Sequence, residues 1–111
     1  MALTKFIHDG DAVDYTPGAS LAAGAMVVQG DLVGIARVAI PANTLGTLAV
    51  TGVFEVPKAT GAGTALAAGT TVYWDATNQR ASTTSAGNKL LGKVVKAAAD
   101  ADASVWVRLS Q

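Results

Sequence analysis

Apolar and polar residues alternate along most of this chain in short runs, each closed by Gly, Asn, Asp or Pro, which is the pattern of half-buried strands rather than helices. The pattern predicts extended segments over residues 4–8, 12–16, 25–29, 32–40, 45–56, 80–84 and 90–96, together with Thr71–Asp75 and Ser104–Leu109. Gly30-Asp31 between two of these runs is a two-residue hairpin signal. Within 45–56 the alternation puts Leu48, Val50, Gly52, Phe54 and Val56 on one face. In Ser104–Leu109, Val105, Val107 and Leu109 face one way while Trp106 and Arg108 face the other. The Ala-rich stretches 19–25 and 62–68 are broken by Gly and too short to stand as helices, and 96–103 reads as a turn or loop.

The chain also repeats itself. Leu21-Ala22-Ala23-Gly24 returns as Leu66-Ala67-Ala68-Gly69, and each copy is followed by a strand carrying an internal glycine, Gly34 and Gly92. The repeat predicts two similar hairpin units bent at those glycines. The expected fold is all-β: a small barrel or sandwich of short, mostly antiparallel strands with little helix, folded as one domain over residues 1–111. Its core should include Val50, Val72, Val94, Val105 and Val107. Residues 1–15 read either as an extended arm or as a first strand of a β core that otherwise occupies 16–111.

Composition narrows the function. At 111 residues and half hydrophobic, the chain is expected to bury about 65% of its surface, leaving about 5,700 Å² exposed. Only 14% of residues are charged and 5% aromatic, so the interior must be filled by Ala and Val, and some apolar surface is expected to be covered by a partner. Eight basic residues balance eight acidic ones. That balance lacks the basic excess of a nucleic-acid binder and favours self-association. The opening residues carry no apolar signal core and no stretch is long enough to span a membrane, so the chain is expected to be made in the cytoplasm.

Candidate chemistry is sparse. Without cysteine there is no thiolate nucleophile or zinc site, and the one histidine, His8, cannot build a Ser-His-Asp or two-His arrangement within the chain. Asp9, Asp11 and Asp14 fail the calcium-loop spacing because Val13 occupies a ligand position. The only Gly-Lys pair, Gly92-Lys93, is followed by Val and lies in a strand, so no phosphate loop is predicted. The expectation is no catalysis, no cofactor and no metal. What remains is aromatic: Tyr73, Trp74 and Trp106 are either core residues or interface anchors.

Taken in order, Phe6-Ile7, Asp9-Gly10-Asp11, Asp14-Tyr15-Thr16, Gly30-Asp31-Leu32-Val33-Gly34, Val53-Phe54-Glu55-Val56-Pro57-Lys58, Val72-Tyr73-Trp74-Asp75, Leu90-Leu91-Gly92 and Val105-Trp106-Val107-Arg108-Leu109 resemble the phage capsid cement, or head decoration, proteins. Some members of that family have been labelled RecA/RadA-like recombinases, but this chain lacks the lysine such a label requires. The resemblance implies a structural virion protein on the outer surface of a bacteriophage head. It would clamp neighbouring subunits of the major capsid protein and form a homo-oligomer, a trimer first and a dimer as the alternative, without nucleic acid or membrane.

Lys5, Phe6, Ile7, His8, Asp9, Asp11, Tyr15, Tyr73, Trp74 and Trp106 are the candidate contacts with capsid or with other copies. The segment around Phe6 and Ile7 would work by adding a strand to a neighbour's sheet. The competing reading is a virion-surface module for a host glycan or receptor, carried by Trp74-Asp75 with Asn78 and Arg80.

Overall fold

The computed structural model describes residues 3–7 and 10–110. Among these there is no helix, and nine strands follow one another: β1 (Ala12–Tyr15), β2 (Met26–Gln29), β3 (Leu32–Ile35), β4 (Gly46–Ala49), β5 (Val53–Pro57), β6 (Thr71–Asp75), β7 (Arg80–Ser82), β8 (Lys89–Lys96) and β9 (Ser104–Leu109). They form two antiparallel sheets, ordered β1-β4-β3-β2 and β5-β9-β8-β6-β7. The fold is all-β and a sandwich. The second sheet curls until Ala81 of β7 meets Lys58, the residue after β5, through one isolated parallel bridge, but it does not close into a barrel.

Strand order exposes the repeat. Reading β1-β4-β3-β2 against β5-β9-β8-β6 gives the same connectivity twice, with β7 as an insertion in the second copy. The Leu-Ala-Ala-Gly segments make matching hydrogen bonds. Leu21 and Ile40 exchange backbone bonds of 2.8 and 2.9 Å, and Leu66 and Ala98 exchange bonds of 2.9 and 2.8 Å. The Gly24 N–H donates to the Ala36 carbonyl at 2.6 Å, as the Gly69 N–H does to Val94 at 2.7 Å. Both glycines stand at nearly equal positive φ, 87° and 89°, where a side chain would be strained.

The internal glycines of the two units are sites of close approach between neighbouring strands. A Cβ on Gly34 would sit 2.8 Å from Cβ of Leu48, and one on Gly92 would overlap the Arg108 carbonyl. Glycine is required at both positions because neighbouring chain approaches closely.

The main core joins both sheets: Val33 and Ile35 of β3 pack with Val56, Leu66, Val72, Trp74, Leu91, Val94, Val105, Val107 and Leu109. Each fully buried Val or Leu contributes about 1.5–3 kcal/mol relative to exposure. A smaller cluster of Val27, Ala36, Ile40 and Leu48 lies under the first sheet, covered by Val13 and Tyr15.

Several expectations need correction. The 45–56 run is two strands, because the chain passes from one sheet to the other at residues 50–52; Val50 is only half-buried there. Residues 4–7 form no strand, and position 8 lies outside the described residues. Within 1–15, read either as an arm or as a first strand, Ala12–Tyr15 is a core strand that pairs along its length with β4. The 80–84 run stops at Ser82, whose Oγ accepts the Thr84 N–H at 3.1 Å and turns the chain.

Candidate interaction surface

The outer face of the second sheet carries two cross-strand rows set by register. In one, Val53 of β5 faces Arg108 of β9, which faces Lys93 of β8. In the other, Glu55 faces Trp106, which faces Lys96 after an irregularity between Val94 and Lys96. Alternation explains the placement: Val105, Val107 and Leu109 go into the core, so Trp106 and Arg108 must point out. Trp106 remains 47% exposed, with the Lys96 ammonium 4.7 Å above its ring centroid. That cation–π contact restrains the indole. Glu55 is held by the Ser104 hydroxyl, which donates to Oε1 at 2.6 Å.

Lys93 and Arg108 are like charges directly opposite each other, an arrangement that destabilises a sheet by a few tenths of a kcal/mol or more. Among the described residues no carboxylate lies within ion-pair distance of Lys93, Lys96 or Arg108. The face is a tryptophan and a valine among three basic side chains, with Glu55 at its β5 edge. A shallow depression of about 200 Å³ adjoins it, lined by Lys96, Asp102, Ser104 and Trp106.

Beneath this face lies Lys58, only 6% exposed. Its ammonium donates to three backbone carbonyls, those of Ala59 (2.7 Å), Asp102 (2.9 Å) and Ala99 (3.0 Å). Asp102 completes the loop by accepting the Ala99 N–H at 2.9 Å. A buried ammonium thus ties β5 to the loop that borders the depression. The sequence held no signal for it, because a lysine after Pro57 reads as a surface charge.

The candidate residues separate into three groups. Lys5, Phe6 and Ile7 lie outside both sheets, with Phe6 78% and Ile7 74% exposed, while His8 and Asp9 are outside the described residues. Asp11 and Tyr15 belong to the body of the fold: Asp11 accepts the Val50 N–H and, at 3.4 Å, the Thr51 hydroxyl, and Tyr15 packs on the smaller core. The aromatics divide. Trp106 points outward, Tyr73 is half-buried, and Trp74 is buried in the main core, so it is a packing residue in this chain rather than an exposed anchor. Lys93, Lys96 and Arg108 were missed because facing residues become visible only with strand register.

The glycan cluster assembles only in part: Asp75 faces Arg80 across the β6–β7 pair and bonds Asn78, but Trp74 turns into the core. With Trp74 buried, the Asp75 carboxylate is occupied by its own turn, accepting the Asn78 side-chain amide at 2.8 Å and the N–H groups of Thr77 and Asn78 at 3.1 Å. Among the described residues no group of acidic or imidazole side chains has the arrangement of a metal site.

Two exposed carboxylates report on turn chemistry. The Lys89 ammonium, bonded to Asp31 at 2.7 Å, holds that carboxyl below its ordinary value first through the hydrogen bond and then through charge. Asp75 is lowered chiefly by the side-chain amide of Asn78, then by the backbone N–H of Asn78. Both folded-state values are depressed, so their contribution is present above the unfolded value of about 3.9 and is lost as pH falls through the folded values. Thermal midpoints should be flat near neutrality and fall below about pH 4, and Asp31→Asn and Asp75→Asn should each shrink that fall.

These features define an all-β domain of two antiparallel sheets with an exposed tryptophan and three basic side chains on one face. The model of the phage cement protein family matches residues 7–109, and the chain belongs to that family. It is a structural protein of the phage capsid, located in the virion and bound to capsid proteins. No curated protein and no solved structure matches it.

Proposed function

We propose that this chain cements neighbouring subunits of the major capsid protein on the outer surface of a phage head. It acts without catalysis or cofactor, as a homo-oligomer made in the host cytoplasm, with no nucleic-acid or membrane partner. The observation that carries the reading is the outer face of the second sheet, where Trp106 stands between Glu55 and Lys96 and beside the like-charged pair Lys93 and Arg108, neither of which has a carboxylate within ion-pair distance among the described residues. Such a face suits a shell surface that offers carboxylates around an apolar contact: the partner relieves the Lys93–Arg108 repulsion while Trp106 supplies the anchor. The accessible surface, 6771 Å², is about a fifth larger than the roughly 5,700 Å² of a compact monomer of this mass, which fits a protein whose surface is completed by neighbours. Repeated attachment of linked copies then converts weak single contacts into firm binding.

The test is co-sedimentation with expanded, undecorated heads. Trp106→Ala and the double variant Lys93→Glu/Arg108→Glu should each bind at least about tenfold more weakly, and wild-type binding should weaken as salt rises. Binding unchanged by both variants would move the contact to another face.

A further inference from the structure

The two repeats differ at one edge. In the second sheet the outer side of β6 is occupied by β7, with Trp74 facing Ala81 and Ala81 buried in the core. The corresponding side of β2 carries no strand among the described residues. The equivalence is residue by residue: Met26 faces Ile35 and Val27 faces Gly34, as Thr71 faces Lys93 and Val72 faces Gly92. Where the second repeat inserts β7, the first passes directly through Gly30-Asp31 into β3, so its fifth strand position is open.

That edge is chemically ready for pairing. Gln29 faces Leu32 across the two-residue turn, and the Ala36 N–H donates to Ala25 at 2.9 Å, so residues 25, 27 and 29 bond toward β3. The N–H and C=O groups of Met26 and Val28 therefore point outward. Met26-Val27-Val28-Gln29 has no proline and no charge, the usual devices that blunt an edge, whereas β5 carries Glu55 and Pro57. Beside the start of β2 runs a groove of about 310 Å³ toward β5, lined by Met26, Ile35, Phe54, Glu55 and Trp74.

The same chain carries a segment suited to this position. Leu3-Thr4-Lys5-Phe6-Ile7 lies outside both sheets and holds the three most exposed large apolar side chains among the described residues, Leu3 at 89% with Phe6 and Ile7. Its Phe, Ile and Thr are strand formers. We propose that residues 3–7 of one copy add to β2 of a second copy as the strand that β7 supplies in the second repeat. Phe6 enters the groove beside Phe54, and Lys5 meets Glu55. Because the segment leads into β1 and the acceptor is β2, the two opposite edges of one sheet, the contact is head-to-tail and generates a ring or an open chain of copies. The proposal rests on reading the N-terminal segment as a strand donor, but not on binding to heads.

Sedimentation of the full chain without heads tests it, using one variant lacking residues 3–7 and another with Val28→Pro, which removes an outward N–H that β3 does not use. Wild-type protein is expected to sediment as more than its 11.1 kDa monomer, and each variant as a monomer with unchanged circular dichroism. A mixture of the two variants should form a one-to-one pair, because one keeps the acceptor and the other the donor. Should Val28→Pro fail to fold, Val28→Lys takes its place. Association of either variant at the wild-type level, a mixture that stays monomeric, or a monomeric wild type would each overturn the proposal. Binding of the same proteins to heads is read separately, so loss of head binding with self-association intact counts against the cement reading alone.

Discussion

Gly92→Ala should be the most damaging single substitution in this chain. The added Cβ would overlap the Arg108 carbonyl and come within 3.0 Å of Leu109 Cα, both backbone atoms of β9, an interior strand of the second sheet. Neither can move without breaking the pairing of Gly92 with Leu109 and of Lys93 with Arg108. A loss of at least about 3 kcal/mol is expected, a large share of the 5–15 kcal/mol that a domain has in total. Urea unfolding followed by circular dichroism measures it. The repeat supplies an internal control: Gly34→Ala meets Leu48 Cβ at 2.8 Å, a milder clash, and should cost less. Equal costs at the two sites would contradict the close-approach account.

Lys58→Met should rank next. Methionine fills similar space but leaves the carbonyls of Ala59, Ala99 and Asp102 without their donor. Hydrogen bonds to a charged group are individually worth about 1.5–3 kcal/mol, and the exposed part of the loop regains some of this from water, so the net loss should be about 2–4 kcal/mol. The damage should be local: the Ala99 N–H, held by Asp102, should lose hydrogen-exchange protection before the core strands do. Head binding should also weaken, although Lys58 is buried, because Asp102 borders the depression beside Trp106. A variant of wild-type stability would show that the buried ammonium contributes little.

The strands that were legible in the sequence are those with clean two-residue periodicity. Thr71–Asp75 and Ser104–Leu109 match their expected bounds, and the Gly30-Asp31 turn joins β2 to β3 as its residues require. The long 45–56 run misled because β4 and β5 are both apolar and alternating, while the change of sheet between them is made by backbone direction at Gly52. The repeat was visible in the Leu-Ala-Ala-Gly segments, but its extent was not. β1 and β5, and β4 and β9, share position without sharing sequence, and only pairing order reveals them.

The interaction face was half legible. Alternation pointed Trp106 and Arg108 outward, but Lys93 and Lys96 join them only through the β8–β9 register, which depends on the irregularity after Val94. Trp74 and Trp106 looked alike as aromatics in strands. Their opposite fates follow from which neighbours are apolar on the same face: Val72 and Trp74 alternate inward together, whereas Trp106 alternates against Val105 and Val107. Lys58 was illegible, since its burial depends on a loop more than forty residues away.

The central claim is that the protein cements the shell rather than merely coating it, and the heat stability of heads tests this most directly. Undecorated expanded heads are mixed with the protein to saturation, and their disruption temperature is followed by light scattering and electron microscopy. The account predicts that decorated heads survive to a temperature several degrees above bare heads. It also predicts that the gain falls away with Trp106→Ala in proportion to lost occupancy. Heads that bind the protein fully yet break at the temperature of bare heads would contradict it.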